Sequence, residues 1–260
     1  MSATVSLARA DGLAELALSR PAASNALDRA LKEELLAAVG ELASDPTVRA
    51  VLLRAEGKNF CVGQDLAEHS AALDADPSTA MSTVGAHYNP LIAAVSALEV
   101  PVVVAIQGGC VGAGLGLALA GDIRIAGAGA KFATAFTGIA LASDSGLSYS
   151  LVRSLGLSRA TGLMLLGDRL TAAQAGELGL VHRVVDDAEL ESAARDLAQQ
   201  LASGPTAAYR EVKRLLAAQA PLAETLERER VAQEFLGAGA DHRAAVTAFL
   251  TKSTPVFTGH

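Results

Sequence analysis

The sequence has no tryptophan, only two cysteines, and 19% charged residues in a length of 260. Six Phe and three Tyr are its whole aromatic complement. That scarcity weighs against a pocket built to hold an aromatic ring. Lys and Arg number 21 against 28 acids, a net charge of −7. A protein that tracks nucleic-acid phosphates shows a basic face, so no nucleic-acid partner is expected, although one small anion pocket is still allowed. Cys61 and Cys110 form no CxxC pair, which reads as a reduced, cytoplasmic setting. The histidines are scattered, without HxxH or HExxH spacing, so no metal is expected. Residues 1–19 carry no basic stretch ahead of an apolar core, so no signal peptide is expected. What is abundant is apolar: 51% of residues are hydrophobic. That is globular composition with ample material for a core.

Alternating runs at Thr4–Leu7 and Leu13–Leu18 flank "ADG" and predict a hairpin. Asp28 has the character of an N-cap, and Leu31, Leu35, Val39 and Leu42 follow at helical spacing. Val48–Arg54 reads as a buried strand, and residues 67–80 as mobile or loosely helical. Pro90 is expected to kink or restart a helix. Strands are expected at "PVVVAIQGG", "DIRIAG" and "LVHRVV". Helices ending at Gly167 and Gly179 separate the last two, and charged amphipathic helices fill residues 187–252. Strands alternating with helices, then helices only, imply an α/β core with a helical C-terminal part.

The stretch "QGGCVGAGLGLALAGD" invites three readings. A Walker loop needs Gly-Lys-Ser/Thr, which is absent. The dinucleotide fingerprint fails because Leu117 or Leu119 stands at its sixth position. Val100 to Gly121 is uncharged and long enough to span a bilayer, but it contains Gln107, a proline and a row of glycines, and it lacks basic flanks. No membrane partner is expected. A strand, a glycine turn and a helix would instead leave free N–H groups at the helix start, as an oxyanion hole requires. Glycines placed only for close packing are the alternative.

Six segments in order resemble the enoyl-CoA hydratase/isomerase (crotonase) superfamily: "LSRPAASNALD", "VLLRAEGKNFCVGQDL", "PVVVAIQGGCVGAGLGLALAGDIRIA", "KFATAFTGIALASDSGLSYSLVRSLG", "GDRLTAAQAGELGLVHRVV" and "FLTKSTPVF". The resemblance implies a crotonase-like spiral core of ββα units over residues 1–195. Residues 196–260 would be a C-terminal helical trimerisation region, giving a homotrimer or homohexamer. The ligand would be an acyl-CoA thioester, with no cofactor beyond the CoA of the substrate. By motif match the N–H groups of Gln64 and Ala113 would hold the thioester oxygen, and Asp65 would order its loop. CoA or substrate contacts would come from Ala22, Ala23, Ser24, Val62, Gly63, Leu66, Gly112, Phe136, Lys252 and Phe257. Ala22 stands where many relatives carry Lys, and Lys252 could equally be a solvated lysine.

The hydratase branch uses two glutamates, and the matching positions here are Gly116 and Phe136. Neither can move a proton. Asp144, in "LASDSGLS", remains as the acid/base candidate, or as an N-cap of the helix that follows. PaaG-like enoyl-CoA isomerases place an aspartate there and are closest in motif. In 4-chlorobenzoyl-CoA dehalogenase the same position is a nucleophile. One base that returns a proton to another carbon suits the isomerase. A dehalogenase-like reaction and a non-catalytic acyl-CoA-binding paralogue are the alternatives. Phe136 and Leu141 are expected to form an apolar wall beside Asp144, and segment 67–89 is expected to line the acyl pocket.

Overall fold

In the hairpin, β1 (Val5–Ala10) pairs antiparallel with β2 (Leu13–Leu18). Asp11 and Gly12 both take positive φ, 49° and 79°, the turn whose twist matches that of the strands. The computed structural model describes residues 3–259. Helix α1 (Arg29–Ser44) starts where the Asp28 carboxylate accepts from the Leu31 N–H at 2.9 Å. Its apolar stripe of Leu31, Leu35, Val39 and Leu42 is buried.

Three chain turns then repeat one path. The first runs from β3 (Ala50–Ala55) through Cys61 to α2 (Leu66–Ala75). A π-helical turn, Val84–Tyr88, leads into α3 (Asn89–Ala97), so Pro90 restarts the helix at its second position. The second passes through β4 (Val102–Ile106), β5 (Gly109–Val111) and α4 (Ala113–Ala120). The third passes through β6 (Ile123–Gly127), β7 (Lys131–Ala133), α5 (Leu147–Leu155) and α6 (Leu157–Leu166). Strands β2, β3, β4 and β6 lie parallel in one sheet, completed by β1 and by β9 (Arg183–Val185). Cys61 bridges Cys110 of β5, which pairs with β7 and then β8 (Arg169–Thr171). Each turn therefore lays one strand in a large sheet, one short strand or bridge in a small sheet, and one or two helices. This is the expected spiral of ββα units.

The uncharged run from Val100 divides into β4, β5 and α4, and no described helix is long and apolar enough to cross a membrane. Helix α7 (Ala172–Glu177) begins with a capping box between Thr171 and Gln174. Helix α8 (Leu190–Ala202) covers the outer face of the large sheet. Its buried Ala194, Ala198 and Ala202 let it approach Leu52, Val103, Ala105 and Ile125 closely. Residue 195 lies inside this helix. After the Gly204–Pro205 break, α9 (Thr206–Ala218), α10 (Leu222–Gly237) and α11 (Ala240–Thr251) form the helical C-terminal part.

Candidate active site

Two loops cross where the first and second turns of the spiral meet. Residues 61–65 run alongside 110–114, and glycines make the approach possible. A Cβ on Gly114 would lie 2.4 Å from the Cys61 carbonyl oxygen. A Cβ on Gly63, which has φ 90°, would lie 3.0 Å from the Val111 carbonyl and 3.5 Å from the Ala113 nitrogen. The first loop is tied back to Leu27, whose N–H donates to the Gly63 carbonyl and whose carbonyl accepts from Asp65. This pairing skips Gln64. Ala113 is the first residue of α4, where N–H groups have no helical partner. Among the described residues, neither the Gln64 nor the Ala113 N–H donates to a protein acceptor.

Both residues line a cavity of about 280 Å³, and Asp144 is the one carboxylate among its lining residues. Ser145 and Gly146 take successive left-handed conformations, φ 52° and 67°, and turn the chain into α5. The N-cap of α5 is Gly146, so Asp144 does not cap that helix. Its carboxylate accepts from the Ser145 hydroxyl at 2.8 Å. Burial raises the Asp144 pKa, opposed by this bond and by the positive charge of Lys32. Phe136, Ile139 and Leu141 supply apolar wall.

Lys32 is the feature that sequence reasoning missed. It is 1% exposed and donates to Gln64 Oε1 at 3.2 Å, Glu68 Oε1 at 3.0 Å and Thr83 Oγ1 at 2.8 Å. Tyr88, also buried, donates its hydroxyl to the same Gln64 oxygen. The signal for Lys32 was its spacing. It extends the buried stripe of Leu35, Val39 and Leu42 by one turn, where a solvated lysine does not belong.

The enoyl-CoA hydratase/isomerase family model matches residues 8–260. The chain belongs to that family. It is 38% identical over 250 residues to the 1,2-epoxyphenylacetyl-CoA isomerase of Escherichia coli, covering 95% of each chain. It is 38% identical over 251 residues to a probable enoyl-CoA hydratase of Rhodobacter capsulatus, covering 96% of this chain and 95% of that one. A crystal structure of a Mycobacterium abscessus protein described as an enoyl-CoA hydratase/isomerase superposes with a TM-score of 0.97 at 59% identity, covering 98% of this chain and all of the other. The protein is thus an acyl-CoA-acting enzyme of the hydratase/isomerase family with the crotonase-like fold. Enzymes of this family act on acyl-CoA thioesters without a metal or organic cofactor. No group of three or more His, Cys, Asp or Glu among the described residues is arranged to hold a metal.

Against that family frame, the structure gathers Val62, Gly63, Gln64, Leu66, Gly112, Ala113, Phe136 and Asp144 around one cavity. From segment 67–89 it adds His69, Met81, Thr83 and Tyr88. Asp65 caps α2, accepting from the Ala67 and Glu68 N–H groups, and pairs with Arg20 at 3.1 Å. The turn Ala22–Ala23–Ser24 lies outside the cavity lining. It is joined to the loop before Cys61 by the Asn59 amide, which donates to Ser24 Oγ, and by buried Asn25, which donates to the Glu56 and Asn59 carbonyls. Lys252 and Phe257 are not brought to the cavity within the chain. Lys252 is an exposed C-cap of α11, and Phe257 lines a separate space of about 680 Å³ beside α9–α11. His87 bonds Thr83 at 3.0 Å and faces Glu33. Burial pushes the Cys61 thiol up to about 12 and the Cys110 thiol well above its ordinary value, so neither is a ready nucleophile.

Proposed function

We propose that the enzyme moves a double bond within an enoyl-CoA, between the 3-enoyl and 2-enoyl forms, as PaaG-like isomerases do. The observation that carries this reading is the pairing of two unpartnered N–H groups, on Gln64 and Ala113, with a single partly buried carboxylate in one apolar cavity. The N–H groups would hold the thioester oxygen and stabilise the charge that develops there. Asp144 takes the proton from C2 of the 3-enoyl chain, and the C–H electron pair delocalises into the thioester and the C3–C4 double bond. The pair returns as a C2–C3 double bond while C4 receives the proton from Asp144. One base suffices, and none is consumed. Hydration needs a second proton-moving group at Gly116 or Phe136, and neither residue is one. The 1,2-epoxyphenylacetyl-CoA isomerase supports isomerase chemistry on a CoA thioester in general, and a 34% identical relative from Streptococcus mutans named trans-2-decenoyl-[acyl-carrier-protein] isomerase supports an enoyl chain as the substrate.

Trimers or hexamers are proposed on the exposed Phe235, Val246, Phe249 and Leu250 of α10 and α11. Light scattering at known concentration checks the mass.

The test is proton exchange in D₂O with 3-enoyl-CoA and 2-enoyl-CoA, followed by mass spectrometry beside the Asp144→Asn variant. Label entering the acyl chain with the unaltered protein alone is the expected result. No label with either protein, despite measurable CoA-ester binding, overturns the isomerase reading in favour of dehalogenase-like or purely binding activity.

A further inference from the structure

A buried ammonium is costly unless its protons find acceptors. Lys32 finds three, on Gln64, Glu68 and Thr83, which come from three different segments. Its nitrogen also lies 5.1 Å from the Tyr88 ring centroid. The Gln64 side chain is held at both ends. Its oxygen accepts from Lys32 and Tyr88, and its nitrogen donates to Glu68 at 3.0 Å and to the Asp65 carbonyl at 3.3 Å. A structural ion pair would not need to converge on the side chain of a residue whose backbone N–H enters the proposed oxyanion hole.

We propose that Lys32 is a positioning residue of this site: with the Tyr88 hydroxyl it clamps the Gln64 amide and holds the Gln64 N–H in register with the thioester oxygen. The inference rests on the isomerase reading of the site. The titratable groups that share the cavity lining with Asp144 are His69 from α2 and Tyr88 from the π-helical turn, and Lys32 of α1 acts on its carboxylate from outside that lining. Lys32 is the cation whose charge opposes the rise that burial imposes on Asp144.

The experiment compares Lys32→Met, of similar length without charge, with Tyr88→Phe, which removes one donor and leaves the charge. Three quantities are read: kcat and KM for isomerisation, the pH profile, and the carbonyl stretch of bound enoyl-CoA in an Asp144→Asn background that prevents turnover. Lys32→Met is expected to lower kcat about 10- to 100-fold with KM within a few-fold, as small misplacements of a reacting group do. It should also move the acidic limb of kcat/KM to higher pH and lose part of the carbonyl red shift. Tyr88→Phe should lose less of the red shift and leave the limb in place. Lys32→Met with an unchanged red shift and an unmoved limb, altered only in melting temperature, overturns the inference and leaves Lys32 a structural ion. A parent complex with no red shift overturns the reading of the site, and this inference with it. Should Lys32→Met fail to fold, Tyr88→Phe decides: a smaller red shift supports the clamp, and an unchanged one overturns it.

Discussion

Ser145 occupies the space that a side chain at Gly116 would need. A Cβ on Gly116 would lie 2.5 Å from the Ser145 Cβ and 2.6 Å from its carbonyl oxygen. The absence of a carboxylate at residue 116 is thus more than a missing side chain. Helix α4 uses bare backbone there so that the segment carrying Asp144 can lie directly against it.

Gly116→Ala separates this packing from helix propensity. Alanine inside a helix is ordinarily favoured over glycine by about 1 kcal/mol. Here the clash should reverse the sign, with a net loss of about 1–3 kcal/mol from overpacking. Urea denaturation measures it, and kcat should fall as the Asp144 turn is displaced. A stabilised Gly116→Ala with full turnover would show that the Ser145 turn yields and the contact is unimportant. Gly116→Glu should not create a hydratase, because the carboxylate has no room.

Asp144→Asn keeps the shape of the side chain and removes the base. Turnover is expected to fall by about 10² to 10⁴, the usual worth of a positioned acid/base. Acyl-CoA affinity, read by calorimetry, should stay within a few-fold, since the Gln64 and Ala113 N–H groups are untouched. Surviving turnover would remove Asp144 from the mechanism.

The same substitution has a signature in stability against pH. Burial raises the Asp144 pKa above its ordinary 3.8. A raised folded value means that folding favours the protonated acid, so the charged carboxylate weakens the fold at neutral pH. The favourable protonated state is fully present below 3.8 and is lost as pH rises through the folded value. Asp144→Asn should therefore stabilise the protein at pH 7 relative to the parent, with the difference shrinking as pH falls through the raised folded value and levelling off by 3.8. Paired melting curves across that range check it, and a difference independent of pH would contradict the raised value. In activity, the acidic limb of kcat/KM should lie above the usual aspartate range.

Cys61 and Cys110 are both fully buried, with their thiols pushed up by desolvation. Iodoacetamide at mild alkaline pH should leave the folded protein unmodified and active, and should alkylate both thiols in denaturant. Rapid loss of activity on labelling the folded protein would reopen a role for sulfur.

The features legible in the sequence were those that neighbouring residues decide. Asp11 and Gly12 make their hairpin, Asp28 caps its own helix, and Gly167 takes φ 70° at the end of α6, each through bonds within a few residues. Residues 66–75 are a regular helix because Asp65 caps it, a signal present in "GQDLAEH" but hidden by the weak amphipathic pattern that follows. The glycines of the second loop were legible because Gly112, at φ 56°, serves a local turn, and the first loop was recognised by the resemblance of its segment to the family.

Lys32 shows where local reading ends. Its acceptors stand 32, 36 and 51 residues away, and its burial follows from three segments folding over it. Gly116 is the same case: that it must be glycine is a fact about Ser145 in the turn before α5. By itself the sequence determined the alternation of strands and helices and the caps, because periodicity and short-range hydrogen bonding act along the chain; the candidacy of Asp144 came from the resemblance of its segment to the crotonase superfamily. Only the tertiary structure decided which amides share a cavity with that carboxylate and which buried cation bonds the Gln64 side chain, because the spiral superimposes segments far apart in sequence.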